Sequence, residues 1–175
     1  IYINDVAKRS TDNAINFERL LNQCYAEIII IPADCTFHFP ENTLIVDGIF
    51  GTGLTRKVDG FWENVIRAIN KSECKVISID LPSGLHSGPG KELPSVTDSI
   101  VKADITLTFQ TPKLSMLISG WGQFCGLLEI LNIGLHSNFI DSNPTNHFFI
   151  TKADIQQRFI KREKFSHKGT YGMLL

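Results

Sequence analysis

The most informative segment of this chain is Leu44-Ile45-Val46-Asp47-Gly48-Ile49-Phe50-Gly51-Thr52-Gly53-Leu54-Thr55-Arg56. A short apolar run, typical of a strand, ends in the carboxylate of Asp47 and passes into a glycine-rich turn. The pattern returns about thirty residues later, where Val76-Ile77-Ser78-Ile79-Asp80 is followed by Leu81-Pro82-Ser83-Gly84. Because ligands of open α/β sheets bind beyond the C-terminal ends of the strands, we expect Asp47 and Asp80 to face one shared crevice.

Strand-like and helix-like segments alternate on either side of these two runs. Apolar residues recur at helical spacing over 13–25, with Thr11, Asp12 and Asn13 as candidate cap residues, and again over 61–70. Continuous apolar runs predict strands over 26–31, 43–50, 75–80, 104–109 and 126–133. Runs with little alternation favour burial on both faces, and the order predicts βαβ units with a mainly parallel sheet.

Composition narrows the class of protein. The 175 residues are 43% hydrophobic and 20% charged, which is typical of a globular domain with a core. The formal net charge of -1 gives no reason to expect a nucleic-acid partner, and no apolar run is long enough to span a bilayer. The four cysteines are scattered without metal-ligand spacing, which favours a reducing compartment and a cytoplasmic location.

The glycine loop matches neither of the two common nucleotide motifs. A P-loop requires a lysine where Leu54 stands, and the GxGxxG fingerprint requires a third glycine where Arg56 stands. Glycines still allow backbone N–H groups to approach an anion closely, and Arg56 and Lys57 add positive charge suited to phosphate. A tight strand-to-helix turn without any ligand explains the same residues, and the motif alone leaves both interpretations open.

The two aspartates also have two interpretations. An aspartate after a strand is often a helix cap or a turn former. Two at equivalent positions, with Ser83 beside them, also suit a site of hard oxygen ligands for an alkali or alkaline-earth cation. A carboxylate placed there is equally suited to general acid or base chemistry.

The order of these motifs resembles a known family, the YjeF N-terminal or NAD(P)H-hydrate epimerase domain. The resemblance rests on residues 46–54, 79–85, 103–104, 108–109 and 112–114. The tail Phe165-Ser166-His167-Lys168-Gly169-Thr170-Tyr171-Gly172 resembles the beginning of the ADP-dependent NAD(P)H-hydrate dehydratase domain, which has a ribokinase-like fold. The resemblance implies a three-layer α/β/α sandwich with a Rossmann-like sheet, followed by a linker into that second domain.

The resemblance also implies an activity, namely repair of hydrated NADH or NADPH. The epimerase, an isomerase, interconverts the R and S hydrates, and the dehydratase, a lyase, dehydrates the S form with ADP or ATP. Asp47 and Ser83 match the family's potassium ligands, and Asp80 matches a residue that contacts the hydrated cofactor. Asp80 is the first choice for acid/base work, with Asp47 the second. The residues that match the loop holding the cofactor are Gly51, Thr52, Gly53, Leu54, Thr55, Arg56 and Lys57.

The expected organisation is an excerpt of a longer polypeptide. Residues 1–135 would be the C-terminal part of the epimerase domain, 136–164 a linker, and 165–175 the beginning of the dehydratase. The family's earlier asparagine- and glycine-rich loop has no counterpart in this sequence. A non-catalytic nucleotide-binding or protein-interaction module is the alternative function. The sequence leaves the oligomeric state open, with a homo-oligomer compatible with it.

Overall fold

The structure is a computed structural model that describes residues 1–4, 9–23, 25–32, 37–88 and 99–171. The chain divides into two compact units, Ile1–Gly134 and Leu135–Leu175, and each is described by itself. In the first unit the elements follow in the order β1 (Tyr2–Asn4), α1 (Thr11–Gln23), β2 (Ile29–Ile31), β3 (Leu44–Asp47), α2 (Gly60–Lys71), β4 (Lys75–Ile79), β5 (Ile105–Phe109) and β6 (Leu127–Leu131).

Four of these strands form one parallel sheet, in the order β3-β4-β5-β6. In its register Asp47 lies opposite Ser78, Ser78 opposite Thr106, and Thr106 opposite Leu128. The α/β fold with a parallel, Rossmann-like sheet is therefore confirmed. Because the four strands are parallel, their C-terminal ends lie at one edge of the sheet, where ligands of such sheets bind.

Helix α2 covers one face of this sheet, as its apolar spacing predicts. Val65, Ile66 and Ile69 are buried, and they belong to one apolar cluster with Ile45 and Val76 from β3 and β4. Burying a side chain of this size contributes roughly 1.5–3 kcal/mol, so the three helix residues alone hold α2 firmly on the strands. The helix thereby supports the backbone that carries Asp47.

The opposite face of the sheet differs from the prediction. Burial along β3 alternates, so that Ile45 and Asp47 are buried whereas Leu44 is 56% and Val46 is 61% exposed. At the other edge, Leu127 of β6 is 59% exposed. The prediction that both faces are buried was wrong for these positions, because α2 packs on the face that carries Ile45 and Asp47.

Strands β1 and β2 form a second, two-stranded parallel sheet. A cavity of about 790 Å³ is lined by the consecutive residues 1–3 around β1 and 43–49 around β3, together with residues of α1 and α2. Consecutive residues of a strand point to alternate faces of the sheet. Because β1 and β3 each contribute consecutive residues to the lining, each presents its edge to the cavity. Helix α1 begins at Thr11, the first of the candidate cap residues, and the residue before it acts as the cap, because Ser10 Oγ accepts the Asn13 N–H at 3.3 Å.

The described residues of the second unit include two short α-helices, α3 (Ser137–Ser142) and α4 (Lys152–Arg158), and a 3₁₀ helix, Lys168–Tyr171. A capping box begins α4: Thr151 Oγ1 accepts the Asp154 N–H, and the Asp154 carboxylate accepts the Thr151 N–H at 2.8 Å. The predicted linker therefore contains regular structure. In the described ranges, none of the helices combines the length and the apolar character that a membrane span requires.

Candidate functional site

The site lies where β3 and β4 end. Asp47 is the last residue of β3, and its register partner is Ser78, two residues before Asp80. The structure therefore brings the two acidic strand ends to neighbouring positions, as the sequence predicts. The two carboxylates share no hydrogen-bond partner within the described part of the chain, so they are held in two different settings.

The Asp47 carboxylate is buried and fully hydrogen-bonded. Its side chain belongs to a residue only 1% exposed. Oδ1 accepts from Ser83 Oγ at 2.5 Å and from the Ile49 N–H at 3.3 Å, whereas Oδ2 accepts from Ser78 Oγ at 2.7 Å and from the Ser83 N–H at 2.9 Å. A buried carboxylate is stable only with such compensation, and all of its acceptor positions are occupied.

Ser83 connects the Pro-Ser-Gly turn after β4 to the glycine loop after β3. Besides its bonds to Asp47, its hydroxyl accepts the Phe50 N–H at 2.9 Å and lies 3.3 Å from the Phe50 carbonyl oxygen. The next residue, Gly84, has φ +93, and a Cβ there would lie 2.0 Å from the Ser99 carbonyl oxygen. Only glycine fits this close approach, which fixes the Pro-Ser-Gly turn against the chain at Ser99.

Asp80 has a more open setting. Its backbone adopts φ +66, in the left-handed region that aspartate and asparagine enter more readily than most residues. Its Oδ1 accepts a hydrogen bond from the Phe109 N–H at 3.1 Å and a second one from the Lys113 ammonium group. The exposed fractions of the Asp80 and Lys113 side chains are 18% and 15%, so the ion pair is partly accessible.

Lys113 is held by more than this ion pair. Its ammonium group also donates to Thr108 Oγ1 at 2.9 Å and to the Phe109 carbonyl oxygen at 3.3 Å. All three N–H donors of the ammonium group therefore have an acceptor. Thr108 is fully buried and is the last residue but one of β5, so the cation lies close to the C-terminal end of that strand.

The glycine loop extends from the end of β3 to α2. The Leu54 N–H donates to the Gly51 carbonyl oxygen at 3.3 Å, which closes a turn, and a Cβ at Gly51 or Gly53 would meet no atom within 4 Å. Arg56 and Lys57 are exposed, and neither forms an ion pair with another described residue. Their charges are therefore available to an anion.

Several hard oxygen donors lie close together at Asp47. Asp47 Oδ1 and the Phe50 carbonyl oxygen both lie within 3.3 Å of Ser83 Oγ, and all three are hard oxygen donors. Such donors suit potassium or sodium and not a thiophilic metal. Among the residues that the structure describes, no group of three or more His, Cys, Asp or Glu side chains could hold a metal ion. The donors therefore fit an alkali cation by their type.

Comparison with known proteins adds a family to this geometry. The profile of the family described as "YjeF-related protein N-terminus" matches residues 3–115. The chain belongs to this family. The matched range contains every residue of the site described above, from Asp47 to Lys113.

Relatives of the YjeF-related chain carry informative names. The chain is 33% identical over 132 residues to the bifunctional NAD(P)H-hydrate repair enzyme Nnr of Moorella thermoacetica, and the aligned region covers 75% of this chain and 24% of that protein. It is 39% identical over 95 residues to the NAD(P)H-hydrate epimerase of Levilactobacillus brevis, which covers 54% of this chain and 42% of that protein. The chain spans about a quarter of the bifunctional relative and less than half of the epimerase.

Two polar residues of this YjeF-related site were missed or left without a role by the sequence. Ser78 lies inside β4 and donates to Asp47; its signal is a lone hydroxyl in the apolar run. Lys113 had a recognised Pro-Lys context but no assigned role, because its contact with Asp80 joins residues 33 positions apart. Only the pairing of β4 with β5 brings them together.

Asp104 and Cys125, which lie outside this cluster, have shifted pKa values. The Val76 N–H, and then the Lys75 ammonium group, hold the pKa of Asp104 below its usual value, at the beginning of β4. Burial raises the pKa of the Cys125 thiol to about 11. Cys125 therefore remains a neutral thiol near pH 7 and is a poor nucleophile. Cys74 and Cys125 are free thiols, whereas Cys24 and Cys35 lie outside the described residues.

Proposed function

We propose that this chain forms part of an NAD(P)H-hydrate epimerase, an isomerase that interconverts the R and S hydrates of NADH and NADPH. The observation that carries the proposal is the convergence of Asp47, Ser83, Asp80 and Lys113 at the C-terminal ends of β3 to β5. The names of the relatives supply the substrate class. Open parallel sheets bind ligands at this edge, which is where the cluster lies.

Asp80 is the proposed acid/base residue. Inverting the hydrated carbon requires that one of its bonds break and re-form on the opposite face, and a proton has to be exchanged along the way. Substrate and product have the same composition, so no oxidant or reductant is consumed. Asp80 Oδ2 accepts no hydrogen bond from the described residues, in contrast to the four bonds that saturate Asp47. Asp47, the second choice, therefore suits a structural role better than proton exchange.

The loop from Gly51 to Lys57 is the proposed cradle for the cofactor hydrate. It is mostly exposed, it starts beside Ser83 through the bond from the Phe50 N–H, and it carries two cations without ion-pair partners among the described residues. Glycines 51 and 53 leave room for close approach of a phosphate group to the backbone. Arg56 and Lys57 would add charge-assisted hydrogen bonds to the same phosphates.

Potassium is the proposed ion of the site, with Asp47 and Ser83 as its ligands. The all-oxygen donor set supports this choice. When bound, the ion would supply positive charge next to an anionic substrate. The saturation of Asp47 by hydrogen bonds means that the Ser83 hydroxyl would have to turn its proton away from Oδ1 when an ion arrives.

The larger organisation is also a proposal. Residues 1–135 would be the C-terminal part of the epimerase domain, 136–164 the linker, and 165–175 the beginning of a dehydratase that uses ADP or ATP. The bifunctional names among the relatives support this arrangement. A cytoplasmic location suits an enzyme that repairs the cofactors of cytoplasmic dehydrogenases, and a homo-oligomer is compatible with the exposed apolar face of the sheet.

The test is conversion of a purified R hydrate by the full-length protein. Chromatography would separate the R and S forms over time, in buffers that contain either potassium or a bulky tetraalkylammonium ion. We expect conversion well above the spontaneous rate, and faster conversion with potassium. Absence of conversion in both buffers would remove the epimerase proposal, whereas equal rates in the two buffers would remove only the ion.

A further inference from the structure

The two oxygen atoms of the Asp80 carboxylate are in different situations. Oδ1 accepts from two donors on the β5 side, the Phe109 N–H at 3.1 Å and the Lys113 ammonium group. Oδ2 has no partner among the described residues, although the side chain is only 18% exposed. One oxygen therefore anchors the carboxylate and the other remains available to a ligand.

Lys113 is in turn fixed from three directions. Its ammonium group contacts Asp80 Oδ1, Thr108 Oγ1 and the Phe109 carbonyl oxygen. Its backbone precedes the 3₁₀ helix Leu114–Leu117, and its carbonyl oxygen accepts the Met116 N–H at 3.0 Å. A flexible four-carbon side chain loses considerable rotamer freedom in such an arrangement, so the contacts have to compensate for that loss.

We propose that Lys113 is the positioning residue of the epimerase site, and that it holds Asp80 so that Oδ2 faces the substrate. This inference rests on the proposed function. The Phe109 N–H alone is a single bond, about which a carboxylate can still turn. Adding the ammonium group makes Oδ1 a two-point anchor, and small misplacements of a reacting group cost about a hundredfold in rate.

A second lysine–aspartate pair provides a matched control. Lys75 Nζ contacts Asp104 Oδ1 at 2.9 Å, and like the Lys113 pair it connects the β4 and β5 region, but at the beginning of β4 instead of its end. The Lys75 side chain is 79% exposed. Replacing Lys75 therefore removes a lysine–aspartate contact from the same sheet without touching the site.

The experiment compares Lys113→Met, Lys113→Arg and Lys75→Met in the full-length protein, with the R hydrate as substrate. We expect Lys113→Met to lower kcat about a hundredfold while KM stays within a factor of about three, because the lost effect is orientation of the reacting group. Lys113→Arg should recover a large part of kcat, and Lys75→Met should match the wild type. A parallel Lys113→Ala variant should regain activity when ethylamine is added, because a free ammonium group can replace the missing one.

The outcomes separate this inference from the proposed function. If the wild type converts the hydrate and Lys113→Met does so with an unchanged kcat, the positioning role is wrong and the epimerase proposal stands. A rise in KM alone would also overturn the positioning role, since it would indicate a substrate-binding contact. If Lys113→Met fails to fold, Lys113→Arg and the ethylamine series decide the question. If the wild type is inactive, both proposals fall together.

Discussion

Replacing Asp47 by asparagine should destabilise the protein strongly, although the two side chains have nearly the same shape. Each carboxylate oxygen faces one hydroxyl, which can rotate, and one backbone N–H, which cannot. An asparagine must direct its NH₂ group at one of those two N–H groups. The less costly choice is the Ile49 N–H, whose distance of 3.3 Å exceeds the 2.9 Å of the Ser83 N–H.

The magnitude follows from these contacts. Hydrogen bonds to a charged group contribute about 1.5–3 kcal/mol each, and the substitution turns one of them into a donor–donor contact while weakening the other three. Relief from burying a charge offsets part of this loss. We therefore expect the free energy of unfolding to fall by about 3 kcal/mol, a large change for a single isosteric substitution.

Urea unfolding followed by tryptophan fluorescence would measure this change, with Ser78→Ala as the matched control. Ser78 contributes one hydrogen bond to Oδ2, so its removal should cost only about 1.5 kcal/mol and leave no backbone donor unpaired. If the free energy of unfolding of Asp47→Asn lies within about 0.5 kcal/mol of the wild-type value, the Asp47 carboxylate does not hold the glycine loop and the Pro-Ser-Gly turn together.

Three further predictions concern other parts of the fold. Gly84→Ala should lower the free energy of unfolding, measured by thermal unfolding, by more than about 3 kcal/mol, because alanine would combine a positive φ with a Cβ 2.0 Å from the Ser99 oxygen. Gly48→Ala, where a Cβ would meet no atom within 4 Å, should lower it by less than about 1 kcal/mol, and equal losses would contradict the close approach at Gly84. Because the pKa of Cys125 is raised to about 11 in the folded state, the stability that its neutral thiol contributes is complete below pH 9 and is lost as pH rises through 11. The urea midpoint of unfolding should therefore fall between pH 9 and 11, and it should fall less in Cys125→Ala. The pKa of Asp104 is lowered, first by the Val76 N–H, so the stability that this carboxylate contributes is present above its usual pKa of 3.8 and is lost as pH falls below that value. In Asp104→Asn the free energy of unfolding should therefore fall less steeply below pH 3.8, and a pH dependence equal to that of the wild type would refute this.

Much of the fold is visible in the sequence because it rests on local periodicity. The spacing of Val65, Ile66 and Ile69 predicts α2 and its buried side, and the apolar runs predict β3 and β4 to within a few residues. The neighbouring ends of those strands also follow, since parallel βαβ units bring successive strands together. The juxtaposition of Asp47 with Ser83 was expected from the resemblance, and the structure supplies the hydrogen bonds.

The remaining features depend on contacts that periodicity does not encode. The exposure of Leu44 and Val46 reflects what covers the sheet, and the strand residues themselves are apolar on both sides. Ser10 caps α1 because the helix begins two residues before its apolar pattern does. The different settings of Asp47 and Asp80 arise from contacts with residues distant in sequence. Periodicity could therefore name both aspartates, and the ranking of Asp80 before Asp47 came from the family resemblance.

The rate of R-to-S conversion by Asp80→Asn tests whether the Asp80 carboxylate is the acid/base group of the site. Asparagine tolerates the left-handed backbone at this position, and its oxygen can accept both the Phe109 N–H and the Lys113 ammonium group, so the fold should be kept. The substitution then changes only the charge and the free Oδ2 position. The proposed mechanism predicts a loss of at least about a hundredfold in kcat in a protein that still folds. A folded Asp80→Asn protein that converts the hydrate at the wild-type rate would contradict it.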